Sequence, residues 1–331
     1  MTENAATTRA LVSRGHLGWT VRLLVGIGMV VLVVRSVNVS QFGAVLVAPN
    51  WLPLAGMVAA ALVFVLLGAV NIWIMLSAVA PVQFVTLLRY FLVATAFGTF
   101  TPAAVGDFSL AGFLRRETIP VHRGLSAMLV DRGITLALHA VVFLPLTLLL
   151  VLSTTQWLWL PAGVAVGAVI LMALNVVPGF RRLVLSGMVR PCLPQLEDFL
   201  RSCSDLLRFH PMHLLANVAV TIVRSVVAGV VIELALLAAG TWTNFLWVVV
   251  VTNSLSLLNF IPISLGGVGV YEGGAVAVFS RLGLSRERVF AAFVFHRAYI
   301  IVLALLLLAL SRLLLRRGAV YALAAEAEVK S

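Results

Sequence analysis

Residues 260–272 read Phe-Ile-Pro-Ile-Ser-Leu-Gly-Gly-Val-Gly-Val-Tyr-Glu, and residues 100–107 read Phe-Thr-Pro-Ala-Ala-Val-Gly-Asp. Each stretch interrupts an apolar run and is followed by a second, shorter one. Proline has no amide proton and glycine admits backbone angles that other residues avoid, so a helix breaks at each place. What such breaks mean depends on the solvent around them, and the composition settles that.

The chain has 331 residues, of which 62% are hydrophobic and 11% charged. Its mean hydropathy is +1.12. A soluble domain is nearer half apolar and a quarter charged. This chain cannot cover a core with polar surface, so lipid is its solvent and the fold class is an all-α polytopic membrane protein. A soluble enzyme, a disordered chain and a large extramembrane catalytic domain are excluded.

Apolar runs at 23–34, 52–79, 124–152, 157–176, 212–239 and 289–311 read as about six spanning helices. Most reach the ~20 residues that a crossing needs. Arg9, Arg14, His16 and Arg22 precede the first run, and no small-residue cleavage site follows it, so it reads as an uncleaved helix. The regions 84–117 and 244–283 differ, each being two short arms around one of the breaks. Broken backbone at membrane depth is tolerated only inside protein or beside water. Both regions are therefore expected to be re-entrant helical hairpins.

The charge pattern orients this parse. There are 23 Lys+Arg against 12 Asp+Glu, a net charge of +11. With both termini inside, 16 of the cations fall in inside segments and four outside (Arg35, Arg281, Arg286, Arg288), in keeping with the positive-inside rule. Basic residues at loop ends touching anionic headgroups account for the charge, and no polar surface remains for nucleic acid. Only Lys330 is a lysine, an arginine bias that points to a GC-rich, bacterial genome. The five arginines of 178–211 mark an amphipathic element on the cytoplasmic membrane surface, and 313–331 reads as a cytoplasmic tail. Cys192 and Cys203 have no His partner nearby and read as reduced structural thiols.

The two broken regions also resemble each other. From Asp107 to Arg132 is 25 residues, and from Glu272 to Arg297 is 25 again. Ser126–Arg132 aligns without a gap on Ala291–Arg297. The first hairpin enters from the cytoplasm and the second from outside, which gives halves 18–152 and 157–312 of helix, helix, hairpin, helix in opposite orientation. This 4+4 inverted-topology repeat is the usual architecture of secondary transporters.

The same residues carry a family likeness. Pro102, Gly106-Asp107, Arg115, the Asp131-Arg132 pair, then Pro262, Gly266-Gly267-Val268-Gly269, Glu272 and Arg297 resemble the lysylphosphatidylglycerol synthase transmembrane-region family over roughly residues 20–312. The resemblance implies a flippase-like protein that moves a lipid with a polar headgroup between leaflets of a bacterial cytoplasmic membrane. Members that make aminoacyl-phosphatidylglycerol carry a soluble synthase domain after this region; the sequence stops at Ser331, so synthase activity is not carried over. The chain departs from the family pattern in having Asp107 where Glu is usual.

Ionisable groups inside a bilayer cost roughly 2.5–3.5 kcal/mol each and persist when paired or facing water. Arg132, Arg297 and Arg224 are candidates to grip a lipid phosphate, since a guanidinium binds it bidentately and keeps its proton. The alternative for the first two is structural: ion pairs Asp107–Arg132 and Glu272–Arg297 that pin each hairpin to the next helix. Asp107 and Glu272 either cap the returning arms, couple protons or hold a cationic headgroup. The turns containing Pro102, Gly106, Pro262, Gly266, Gly267 and Gly269 either expose amides to an anion or only allow tight packing. His296, Asp131 and Glu233 are candidate proton relays. Asn71, Asn253 and Asn259 read as interhelical hydrogen bonders. The Gly-rich stretch lacks the Lys-Ser/Thr of a nucleotide loop, and no metal-ligand spacing occurs, so no cofactor or metal is expected. The expected partners are a membrane lipid with an anionic or polyprenyl-phosphate headgroup and an envelope-biosynthesis enzyme. Rival readings are an integral transferase on a lipid-linked substrate, with Asp107 or Glu272 as base, and a non-transporting accessory subunit of such a synthase.

Overall fold

The computed structural model describes residue 28 and residues 31–101, 103–151, 202–260 and 269–329. Among these, all regular structure is helical. The expected helix at 157–176, most of the first helix and most of the 178–211 segment lie outside the described residues.

Helix α1 spans Val39–Val47 and begins at Asn38, whose side-chain oxygen accepts from the Ser40 and Gln41 amides. This is the usual way to satisfy free N–H groups at a helix start. Helix α2 spans Trp51–Ser77. Helices α3 (Phe84–Phe100) and α4 (Ala103–Leu114) are the arms of the first broken region, and a 3-10 turn at Arg115–Glu117 closes it. Helix α5 runs over Val121–Leu138, passes through a π-helical bulge at His139–Phe143 and continues as α6, Leu144–Val151. Helix α7 spans Pro211–Ala238. The second broken region has α8, Phe245–Leu255, then a 3-10 stretch Ser256–Phe260, and α9, Val270–Arg281. Helix α10 is Arg286–Val329.

Among the described residues, four stretches are long and apolar enough to cross a membrane: Trp51–Ser77, Val121–Val151, Pro211–Ala238 and Arg286–Ser311. The chain is thus a multi-pass membrane protein by length and composition. The arms of the broken regions fall short of that length. At about 1.5 Å per residue, the 17 residues of α3 give about 26 Å and the 12 of α4 about 18 Å.

Two local features differ from the sequence reading. The run 124–152 was read as a simple helix, but its register slips at the bulge. Pro145 explains this, because it supplies no amide for a carbonyl four residues back and crowds that turn. The first turn was placed at 101–106, with Asp107 opening the return arm. Instead α4 begins at Ala103, directly after a proline, so Gly106 and Asp107 lie inside the helix and the first turn contains no acid. Gly106 serves close approach: a Cβ there would sit 3.0 Å from the Gly98 Cα and 3.1 Å from the Ala94 carbonyl oxygen. The capping role expected of Asp107 is thereby corrected.

The packing is paired. Helix α2 lies against α7 and runs antiparallel to it, the Asn50 amide at its start donating to the Ala238 carbonyl at 2.9 Å. Leaving α1 aside, which packs on α10, the neighbour relations of the first half have counterparts in the second among the described residues. Helix α2 touches α3 and α5, as α7 touches α8 and α10; α4 touches α3 and α5, as α9 touches α8 and α10. Helix α3 packs on α10, as α8 packs on α6. Exchanging α2, α3, α4 and α5–α6 for α7, α8, α9 and α10 leaves this set of contacts unchanged.

The ends of α2 separate two groups of loops. At its C-terminal end, Trp73 Nε1 donates to the Val82 carbonyl at 3.1 Å and Arg123 Nη1 to the Val79 carbonyl at 3.3 Å. Leu76, Leu87, Leu114, Ile119 and Leu206 share one apolar core there. The first broken region thus starts and finishes at this end, where Tyr90 donates to Glu117 Oε1 at 2.7 Å. At the other end of α2, the Asn38 amide donates to Glu287 Oε1 at 3.1 Å and Arg288 Nη1 donates to the Gly240 carbonyl. Phe279, Leu284 and Val289 join Val33 and Val37 in a second core.

Candidate functional site

Among the described residues, two clusters hold most of the charged groups deep inside the spans. The first lies at the second break. Gly269 has φ +81°, a conformation that glycine adopts without strain, and is the N-cap of α9. Glu272 sits in the first turn of α9 and reaches back, Oε2 accepting from the Gly269 amide at 2.7 Å. Its other oxygen, Oε1, accepts from Arg297 Nε at 2.8 Å and Nη2 at 2.7 Å. Glu272 is 6% exposed, whereas the Arg297 side chain keeps 21%. The capping and ion-pair readings of Glu272 therefore hold together, one per oxygen. His296 is half-buried, with its ring 6.4 Å from that of Tyr271, which packs against Phe293.

The second cluster lies where α2, α5 and α7 cross. Asn217 Nδ2 donates to Asp131 Oδ1 at 2.9 Å and to the Asn71 carbonyl at 3.2 Å. Asn71 Nδ2 donates in turn to Thr221 Oγ1 at 2.9 Å. All four residues are buried. One turn further along α7, the Arg224 guanidinium stands over the Phe64 ring, 4.4 Å from its centroid. Gly68 makes the room, since a Cβ there would lie 3.3 Å from the guanidinium carbon. A cation over an aromatic face is stabilised by the ring quadrupole. Arg224 is near enough to Asp131 to be attracted and to Arg132 to be repelled. Its Nε is buried and has no hydrogen-bond partner among the described residues. Arg224 falls at the centre of the 211–238 span, and Arg132 and Arg297 lie within about one turn of the centres of theirs.

From there a polar chain runs on to the second broken region. Ser225 Oγ donates to the Thr221 carbonyl at 2.9 Å and stands 3.5 Å from His139 Nε2. His139 Nδ1 lies 2.7 Å from Ser256 Oγ. Asn253 Nδ2 donates to the Ser225 carbonyl at 2.9 Å, and Thr147 Oγ1 and Ser254 Oγ lie 2.6 Å apart.

Of the residues expected at the site, Asp131, Arg132 and Arg224 come together, as do Glu272, Arg297 and Gly269. Glu233 stands elsewhere on α7, its Oε2 buried without a hydrogen-bond partner among the described residues. Pro102, Pro262, Gly266 and Gly267 lie outside the described residues, as does the Asp107 side chain, and with it the expected Asp107–Arg132 pair. Asn71 and Asn253 do bond between helices, whereas Asn259 is exposed. Sequence reading missed Asn217, Thr221, Ser225, His139, Thr147, Ser254 and Ser256. A signal existed for the first three: with Arg224 they form one polar stripe at helical spacing along an otherwise apolar helix.

No curated protein and no solved structure gives a match to this chain. A family model does, that of the lysylphosphatidylglycerol synthase TM region, over residues 19–311. The match takes in both broken regions and both clusters, and the chain belongs to the lysylphosphatidylglycerol synthase TM region family.

Proposed function

We propose that this protein is a lipid transporter of a bacterial cytoplasmic membrane. It moves a phosphate-containing lipid, a modified phospholipid or a polyprenyl-phosphate-linked sugar, between leaflets. Family membership supports a membrane protein related to lipid flippases. The paired helix contacts support two halves inserted in opposite senses, with the broken regions as re-entrant hairpins from opposite faces.

The observation that carries the reading is Arg297. It lies eleven residues into its span, about 16 Å deep, and Glu272 holds it by two N–H groups while part of the side chain stays exposed. A guanidinium at that depth needs an anion or water. The fixed carboxylate presets the plane of the guanidinium, and an arriving phosphate competes for its donors. Arg224, half-buried with its guanidinium over Phe64 and its Nε without a hydrogen-bond partner among the described residues, is the second cationic point, with Arg132 beside it. Rocking of the halves about α2 and α7 would open these points to each leaflet in turn.

The test is leaflet exchange of a fluorescent phosphatidylglycerol in proteoliposomes, read by quenching from outside. Exchange without chemical change, slowed at least tenfold in Arg297→Ala, is the expected result. Chemical conversion of the lipid would favour a transferase. Neither exchange nor conversion would favour an accessory subunit of an envelope enzyme.

A further inference from the structure

We infer that His139 is a proton-binding site, and that its proton and the anion held at Arg224 bind cooperatively. The inference rests on the transport reading and names the ion that would drive it.

The π-bulge turns the His139 ring toward α7 and the 3-10 stretch that precedes the second break. Its two nitrogens face two hydroxyls, Nδ1 at 2.7 Å from Ser256 Oγ and Nε2 at 3.5 Å from Ser225 Oγ. Both hydroxyl protons are committed elsewhere. Ser256 Oγ donates to the Asn253 carbonyl at 2.7 Å, and Ser225 Oγ to the Thr221 carbonyl at 2.9 Å. With its proton placed on that carbonyl, each serine turns lone pairs toward the ring. Neutral imidazole has one N–H and one lone pair and satisfies one of these oxygens; imidazolium has two N–H groups and satisfies both. The long Nε2 distance marks the nitrogen that takes the second proton.

Charge opposes this hydrogen-bond geometry. Burial costs a charged ring most, and Arg224 on α7 adds repulsion to it. Asp131 and Arg132 on α5 act on Arg224 itself, and Glu233 lies more than two turns beyond Arg224 on α7. Helices α6 and α8 and the 3-10 stretch bring no ionisable residue. A phosphodiester anion on the Arg224 guanidinium would offset the repulsion and make the ring easier to charge. By linkage the proton then tightens the anion by the same factor. The step is one proton added from water to the Nε2 lone pair and returned to water when the anion leaves.

The experiment uses the full chain, labelled with 15N-histidine, in nanodiscs of phosphatidylcholine alone or with phosphatidylglycerol. The His139 ring signals, assigned with His139→Gln and His139→Asn, are followed from about pH 3 to 8. The expected result is a His139 midpoint higher by about one pH unit with phosphatidylglycerol, a tenfold coupling. His122 and His210, near the helix ends, report surface pH in the same sample and should move less. A His139 midpoint that does not move, or moves only as far as theirs, overturns the inference. Inorganic phosphate added to phosphatidylcholine nanodiscs separates the sources: a shift there assigns the anion to free phosphate, and a shift with phosphatidylglycerol alone assigns it to the lipid. Leaflet exchange without the selective shift would leave transport standing and the linkage refuted; the shift without exchange would do the reverse.

Discussion

One oxygen of Glu272 accepts two N–H groups of Arg297, at 2.7 and 2.8 Å, while the other oxygen caps α9 through the Gly269 amide. A single carboxylate thus fixes both the start of the return arm and the orientation of a guanidinium on the next helix. Removing the carboxylate alone takes from Arg297 the acceptor it uses twice, and breaking a buried pair from one side costs up to about 3–5 kcal/mol. Glu272→Ala should therefore lower thermal stability more than Glu272→Ala combined with Arg297→Ala. Melting curves in one detergent check this; a double variant less stable than the Glu272 single would contradict it.

Asn217 makes a sharper case because one nitrogen serves two acceptors. Asn217→Ala leaves the Asp131 carboxylate and the Asn71 carbonyl short of a buried donor. The expected cost is about 1–3 kcal/mol. Asn217→Asp, which sets a second acid against Asp131, should cost more than the alanine. Equal stability of all three proteins would remove the polar crossing from the account.

The glycines of the first hairpin are not equivalent. A Cβ at Gly106 meets backbone at 3.0 Å, whereas one at Gly98 meets the Gly106 Cα at 3.5 Å, an ordinary contact. Gly106→Ala should therefore splay the α3–α4 pair and lower folded yield, while Gly98→Ala is tolerated. Size-exclusion profiles and melting midpoints distinguish the two.

Cys203 is half-buried in the core at the C-terminal end of α2, and burial pushes its thiol up from the ordinary value. A raised thiol holds less thiolate at neutral pH, so maleimide labelling should be slow at pH 7. It should climb on moving to alkaline pH, above the range where an exposed cysteine levels off. Labelling at neutral pH as fast as free cysteine would contradict this.

How much of this was legible follows from what each residue type signals alone. The membrane class and the interruptions of helix near Pro102 and Pro262 were readable because composition and proline act without a partner. The Glu272–Arg297 pair was readable because charges are scarce enough for a repeated spacing to stand out. Gly106 was misplaced because glycine looks the same whether it bends the chain or admits a neighbour, and only the Gly98 contact decides. His139 was missed because its orientation depends on a bulge that Pro145 imposes from further along the chain. The Asn, Ser and Thr residues of the polar chain were passed over because such residues are cheap on any apolar helix until it is known which face meets another helix.

The central claim is that the two hairpins enter the membrane from opposite faces, and single-cysteine accessibility tests it most directly. Arg116 lies beside the C-terminal end of α2 and Arg286 beside its start, both exposed. In a background with Cys192 and Cys203 replaced by serine, Arg286→Cys should react with an impermeant maleimide added outside intact cells, and Arg116→Cys only after permeabilisation. Both cysteines reacting from the same side would contradict the account.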